Sequence, residues 1–107
     1  MIIFIKNIPN DTLLLELYSF VAPVLKSVVM ECFEEITRVE ILKVEILKFR
    51  NQQTKVVEYH GLVHVDSELA GKAAVLKLDG KRFKNKPISV SEFSPENFDY
   101  HASGSST

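Results

Sequence analysis

Apolar residues recur along this chain at two spacings, and the switches between them mark its elements. Ile2 to Ile8 is a short apolar run closed by Pro9-Asn10, the pattern of a strand entering a turn. Leu13, Leu14, Leu17, Phe20 and Val21 then recur at three and four, which predicts a helix capped by Asp11 or Thr12. Pro23 interrupts that spacing or starts a fresh helical turn. Beyond it Leu25, Val28, Val29, Cys32 and Ile36 keep helical spacing, with Glu31, Glu34 and Glu35 on the wet side. A helix over 24–35 is expected; V-L-K-S-V-V-M at 24–30 leaves a strand as the alternative.

Arg38 to Arg50 contains V-E-I-L-K twice in succession and reads as one long strand. Asn51 to Thr54 is polar and turn-like, and Lys55 to Val65 returns as the second arm of a hairpin. Asp66 or Ser67 caps a second helix, with Leu69, Ala70, Ala73, Ala74, Leu76 and Leu78 as its apolar stripe and Asp79-Gly80 as its end. Phe83 falls in the following loop. Pro87 to Phe93 alternates Ile88 and Val90 against Ser89 and Ser91 as a last strand. The stretch from Ser94 has few core formers and ends in a Ser/Gly run, so a domain over 1–93 and a disordered tail over 94–107 are expected.

The order is β-α-β-β-α-β, with the first helix extended or followed by an extra one. Right-handed crossovers place the first strand beside the third. The fold class is α+β: a ferredoxin-like sandwich, with a four-stranded antiparallel sheet and two helices on one face. The other face is open. Alternation then sorts the side chains. Ile3 and Ile5 point inward, sending Phe4 and Lys6 out. Tyr59, Gly61, Val63 and Val65 form the better core set, so Glu58, His60, Leu62 and His64 point outward. A hairpin closed around Gln52-Gln53 pairs Ile46 with Tyr59, Val44 with Gly61 and Leu42 with Val63 toward the helices. It sets Glu45 against His60, Lys43 against Leu62 and Leu47 against Glu58 on the outer face. Ser89, Ser91 and Phe93 complete that face.

Composition narrows the function. At 107 residues the chain suits one small domain. Its 46% hydrophobic and 25% charged residues are those of an ordinary globular protein. No apolar run approaches the ~18 residues that span a bilayer. The start M-I-I-F-I-K-N-I-P lacks a signal peptide's basic region, so an intracellular, cytoplasmic protein is expected, with the nucleus left open. Cys32 stands alone, which excludes an internal disulfide and points to a buried structural thiol. The net charge of −1 argues against strong non-specific attraction to nucleic acid.

The run I-F-I-K-N-I at Ile3 to Ile8 resembles the hexamer motif of the RNA recognition motif. E-Y-H-G-L-V-H-V at Glu58 to Val65 resembles its octamer in part, with Gly61 and Val63 in register. The A-x-x-A…L-D-G passage from Ala70 to Gly80 is similar to the family's second helix and its exit. The resemblance implies single-stranded RNA stacked on the outward positions Phe4, His60 and Leu62. Lys6, Lys43, His64, Ser89 and Ser91 lie around them. Leu62 and Glu58 depart from the pattern, since one has no ring and the other repels phosphate. With each stack worth ~1–3 kcal/mol, a modest affinity for RNA follows.

Other chemistries find less support. His60 and His64, four apart on one strand, sit ~13 Å apart and cannot share a metal. No phosphate loop, serine elbow or metal-ligand spacing occurs, so neither an enzyme nor a cofactor is implied. The K-R-F-K-N-K run is the one local basic cluster and reads first as a solvated loop. Two functions remain: an RNA-binding module, or an interaction domain whose open face takes a peptide, a second copy in a homodimer, or its own tail.

Overall fold

A computed structural model describes residues 1–32 and 35–94. Phe33, Glu34 and the tail from residue 95, with its expected disorder, lie outside the described residues. The elements are β1 (Ile2–Ile8), α1 (Leu14–Glu31), β2 (Ile41–Arg50), β3 (Val57–Val65), α2 (Glu68–Leu78), β4 (Arg82–Phe83), β5 (Lys86–Pro87) and β6 (Ser89–Glu92). Four strands pair antiparallel in the order β2-β3-β1-β6, and β4 and β5 form a separate small hairpin. The α+β, ferredoxin-like arrangement expected from the sequence is the one observed.

Of the two forms expected for the first helix, the extended one is observed, as α1 runs unbroken over Leu14–Glu31. The stripe Leu17, Val21, Leu25 and Val28 is buried without a break across Pro23. A mid-helix proline costs about 3 kcal/mol because it lacks an N–H and crowds the carbonyl four residues back. Here Pro23 and Ser19 both face solvent, so water can satisfy that carbonyl while the buried stripe continues. The strand alternative at 24–30 is therefore wrong. The helix also starts later than expected. Thr12 Oγ1 donates to the Pro9 carbonyl at 2.7 Å in the preceding turn. Leu13 is the cap residue, its N–H satisfied by Glu16 Oε1 at 2.8 Å. Cys32, at the helix end, is partly rather than fully buried.

The β2–β3 hairpin keeps the expected faces but not the expected partners. Asn51 N–H bonds the Val56 carbonyl, and Asn51 Oδ1 accepts from the N–H groups of Gln53 and Thr54 at 2.9 and 3.0 Å. Lys55 takes a left-handed φ of 63°. The loop thus holds residues 52–55, not two central residues, and the register shifts by two. Val44 faces Val63, Glu45 faces Leu62, Ile46 faces Gly61, Leu47 faces His60 and Phe49 faces Glu58. Because the shift is even, each side chain stays on its face. Leu42 is the exception. A bulge between Ile41 and Lys43 leaves it 63% exposed, not packed against Val63.

Ser67 caps α2 by accepting the Ala70 N–H at 3.1 Å. The buried face is Ala70, Gly71, Ala74 and Leu78, whereas Leu69 and Leu76 of the expected stripe are exposed. Small residues let α2 lie close to the sheet. Phe83 belongs to β4, buried with its ring 4.8 Å from Phe20. The connection to β5 uses positive φ at Lys84 and Asn85, as tight hairpin turns require. Pro87 therefore pairs with Arg82, and the last sheet strand starts only at Ser89. Ile3, Ile5, Val63, Val65 and Val90 meet Leu17, Val21, Val28, Ala74 and Leu78 in one core.

Candidate nucleic-acid interface

Gly61 shows which way β3 faces. A Cβ there would lie 2.9 Å from Leu17 Cδ1, so Gly61 looks into α1. His60 and Leu62 must then point to the opposite side, and register places Phe4 beside Leu62 and Ser91. The helix-built core includes none of Phe4, His60 and Leu62.

Rings cluster on this outer face. The Phe4 centroid lies 5.1 Å from that of His60 and 5.9 Å from that of Phe93, both tilted. Phe49 lies 6.3 Å from His60. Phe93 is held in place as its N–H donates to the Ile2 carbonyl at 2.8 Å. Phe4, Lys6, Ser89, Ser91, Glu92, Phe93 and Ser94 line a recess of about 330 Å³ at the β1–β6 end of the face, within the range of small-ligand sites. Of the expected residues, Phe4, Lys6, Ser89 and Ser91 thus converge there. His60 and Leu62 continue the face onto β3.

His60 has a second role that sequence reasoning missed. Between Ile5 and Ile8 the β1–β3 register slips, and Asn7 adopts φ 60°. Asparagine tolerates that conformation better than most residues. The freed Asn7 N–H donates to His60 Nδ1 at 2.9 Å. Nδ1 therefore carries no proton, and the neutral ring holds its proton on Nε2, 3.5 Å from Glu58 Oε1. Burial pushes the His60 pKa below the ordinary imidazole value; Glu58 opposes that shift and Lys6 adds to it. His60 faces the site as a neutral aromatic ring.

The second histidine is engaged separately. His64 Nε2 lies 3.1 Å from Glu45 Oε1, and Lys43 Nζ lies 2.9 Å from the other oxygen of that carboxylate. Glu45 is held below the usual carboxylate range, first by the Lys43 hydrogen bond and then by His64. Glu45 was expected opposite His60, but the shifted register delivers it to Leu62 and within reach of His64. Consequently Lys43 meets the site with its charge already balanced, while Lys6 is exposed at the recess. Among the described residues, no group of three or more His, Cys, Asp and Glu could hold a metal ion.

The K-R-F-K-N-K run is bound into the fold. Lys84 Nζ contacts Asp11 Oδ1 at 3.0 Å and Glu16 Oε1 at 3.1 Å, tying the small hairpin to the start of α1. Lys86 Nζ donates to the Asn7 carbonyl at 3.1 Å, and Arg82 bonds the Asn85 carbonyl. Phe49 is the ring the sequence reading overlooked. The alternation that put Lys43, Glu45 and Leu47 outward reaches Phe49 two residues later.

Against solved structures the fold has clear counterparts. The two RNA recognition domains of Sex-lethal from Drosophila melanogaster match 89% of this chain at 22% identity and a TM-score of 0.57. This chain spans only 50% of that chain, which holds domains 1 and 2. The third such domain of Mip6 matches 87% of this chain and 92% of its own, at 25% identity and a TM-score of 0.54. The Rna15 domain with bound RNA (GU) covers 94% of this chain and 90% of its own, at 11% identity and a TM-score of 0.50. No family model matches the sequence, and no curated protein matches it. The chain has the fold of the RNA recognition motif.

Proposed function

We propose that this domain binds single-stranded RNA on the sheet face opposite its helices, with modest affinity. The observation that carries the reading is the contiguous set of Phe93, Phe4, His60 and Phe49 on that face, with Lys6, Ser89 and Ser91 at its β1–β6 end. Rings offer stacking surface to any base, and an exposed ammonium can meet a phosphate. The Rna15 domain, solved with RNA, supports the same use of the fold. Two features keep the affinity modest. Leu62 replaces a ring, and Glu45 already neutralises Lys43.

Titration of the labelled protein with a pooled random oligoribonucleotide at low salt tests this. Amide signals of Phe4, Lys6, Ser89 and Ser91 should shift, and the affinity should fall as salt rises. The absence of any shift at low salt would remove the proposal.

A further inference from the structure

One edge of the sheet lies beside an apolar groove. β2 is an outermost strand, paired only with β3 among the described residues. A groove of about 640 Å³ separates α1 from the chain that enters β2. Tyr18, Ala22, Leu25 and Val29 form its helix wall, and Val39 and Ile41 its strand wall. Lys26, Thr37, Arg38 and Glu40 are its polar members. Tyr18 to Val29 spans ~16 Å of helix, the reach of about five extended residues.

The strand wall carries main chain that the sheet does not use. Asp66 N–H donates to the Glu40 carbonyl at 3.2 Å, and Asp66 Oδ1 accepts the Glu40 N–H at 2.8 Å. Both backbone groups of Glu40 thus turn toward β3. Alternation turns those of Val39 and Ile41 the other way, to the free edge. Val65, opposite Ile41, agrees, because its N–H and its carbonyl are both bonded to Met1. Val39 makes no backbone hydrogen bond among the described residues. Further along, a bulge follows Ile41, and Lys43 and Lys48 stand exposed on β2; bulges and lysines both discourage strand addition. Val39 and Ile41 precede that guarded stretch.

The side chains set what could pair there. Val39 and Ile41 pack against the core, so residues opposite them in an added strand would share the helix face. Two apolar side chains, two positions apart, would enter the groove, and the residue between them would face out. Charge selects further. Arg38 is paired with Glu40 at 2.9 Å. Lys26, one helical turn from both Ala22 and Val29, meets no carboxylate among the described residues. We propose that an extended segment of a partner protein, with an apolar–any–apolar core and a flanking carboxylate for Lys26, adds to β2 as a fifth strand.

This surface lies apart from the outer sheet face and does not rest on the RNA reading. The test titrates the labelled full chain with two pools of blocked hexapeptides sharing an apolar–any–apolar core. One pool carries a flanking carboxylate and the other an amine in its place. The carboxylate pool should shift the amide signals of Val29, Val39, Glu40 and Ile41, leave those of Phe4 and Ser91 in place, and bind equally well with RNA present. The amine pool should bind about fivefold more weakly, and so should the carboxylate pool with a Lys26→Glu protein of unchanged denaturant midpoint. Methylating the peptide nitrogens that pair with β2 should abolish binding. Unmoved groove signals at millimolar peptide, equal binding of the two pools, or displacement of the peptide by RNA would each overturn the proposal. Groove signals that shift with protein concentration alone would also overturn it and assign the edge to a second copy.

Discussion

The two sides of β3 are almost equally buried, yet for different reasons. On one side Gly61, Val63 and Val65 meet two helices whose positions are fixed by caps, turns and a continuous stripe. On the other, His60 lies against the rings of Phe4 and Phe49, Leu62 is paired with Phe4, and Phe93, just past β6, adds its ring to Phe4. The helix side is closely packed, since a methyl added at Gly61 would lie 2.9 Å from Leu17 Cδ1 and that side chain would have to move. The ring side holds aromatic surfaces and a histidine bonded to a bulge. Similar burial therefore comes from helix packing on one side and from a cluster of rings on the other.

The largest way to break this comparison is on the helix side. Leu17 is fully buried and fills the space that Gly61 leaves. Leu17→Ala should cost about 2–5 kcal/mol, the usual range for a buried leucine, seen as a lower denaturant midpoint. At temperatures where the variant stays folded, its RNA affinity should be unchanged. The matching change on the other side, Phe4→Ala, should weaken RNA binding by about 1–3 kcal/mol. Its effect on the midpoint should be smaller than that of Leu17→Ala. A Phe4→Ala protein that binds RNA normally would place the interface elsewhere.

His60 belongs to both sides of the comparison, as a ring of the face and as the acceptor that holds the Asn7 bulge. Its folded pKa is depressed, mainly by burial. An unfolded imidazole titrates near ~6.5. Between that value and the lower folded one the unfolded chain takes up more protons, so stability rises with pH in that window. The contribution is complete above ~6.5 and is lost as the medium is acidified toward the folded value. Asn7 N–H should then lose its protection from exchange. His60→Phe should cost about 1 kcal/mol, the low end for an orphaned donor because water can reach Asn7. It should also flatten the acid limb of the stability curve. An acid limb of unchanged slope would assign it to other groups.

The sequence made the faces legible where alternation alone decides them. Phe4 and Lys6 in β1, and His60, Leu62 and His64 in β3, emerge on the expected side because a strand has period two and no bulge lies among the three β3 residues. Partners across the hairpin were not legible. They depend on Asn51 accepting two loop N–H groups and on Lys55 adopting a positive φ, neither of which apolar spacing records. Leu42 was misplaced for a related reason: a bulge adds one residue without changing composition. Pro23 misled because its cost depends on whether it faces the core or water, which only the packed stripe reveals. The His60–Asn7 bond joins residues 53 apart in sequence and left no local signal.

The smallest effect is expected at Lys84, where the basic run meets the start of α1. Its ammonium is raised above its ordinary pKa, chiefly by the hydrogen bond to Asp11, with burial opposing and Glu16 adding. Asp11 is held below its usual range by Lys84. Glu16 is held low first by the Leu13 N–H and then by Lys84. Carboxylates lowered in this way stabilise the fold above their unfolded pKa values and lose that contribution as acid protonates them. Solvent and salt screen these exposed groups, so Lys84→Ala should shift the denaturant midpoint only slightly. The difference should shrink in molar salt and vanish in acid strong enough to protonate both carboxylates. RNA affinity should not change, because the charge is already spent within the fold. A Lys84→Ala protein that loses RNA binding but keeps its midpoint would show instead that this lysine leaves its carboxylates to meet the ligand.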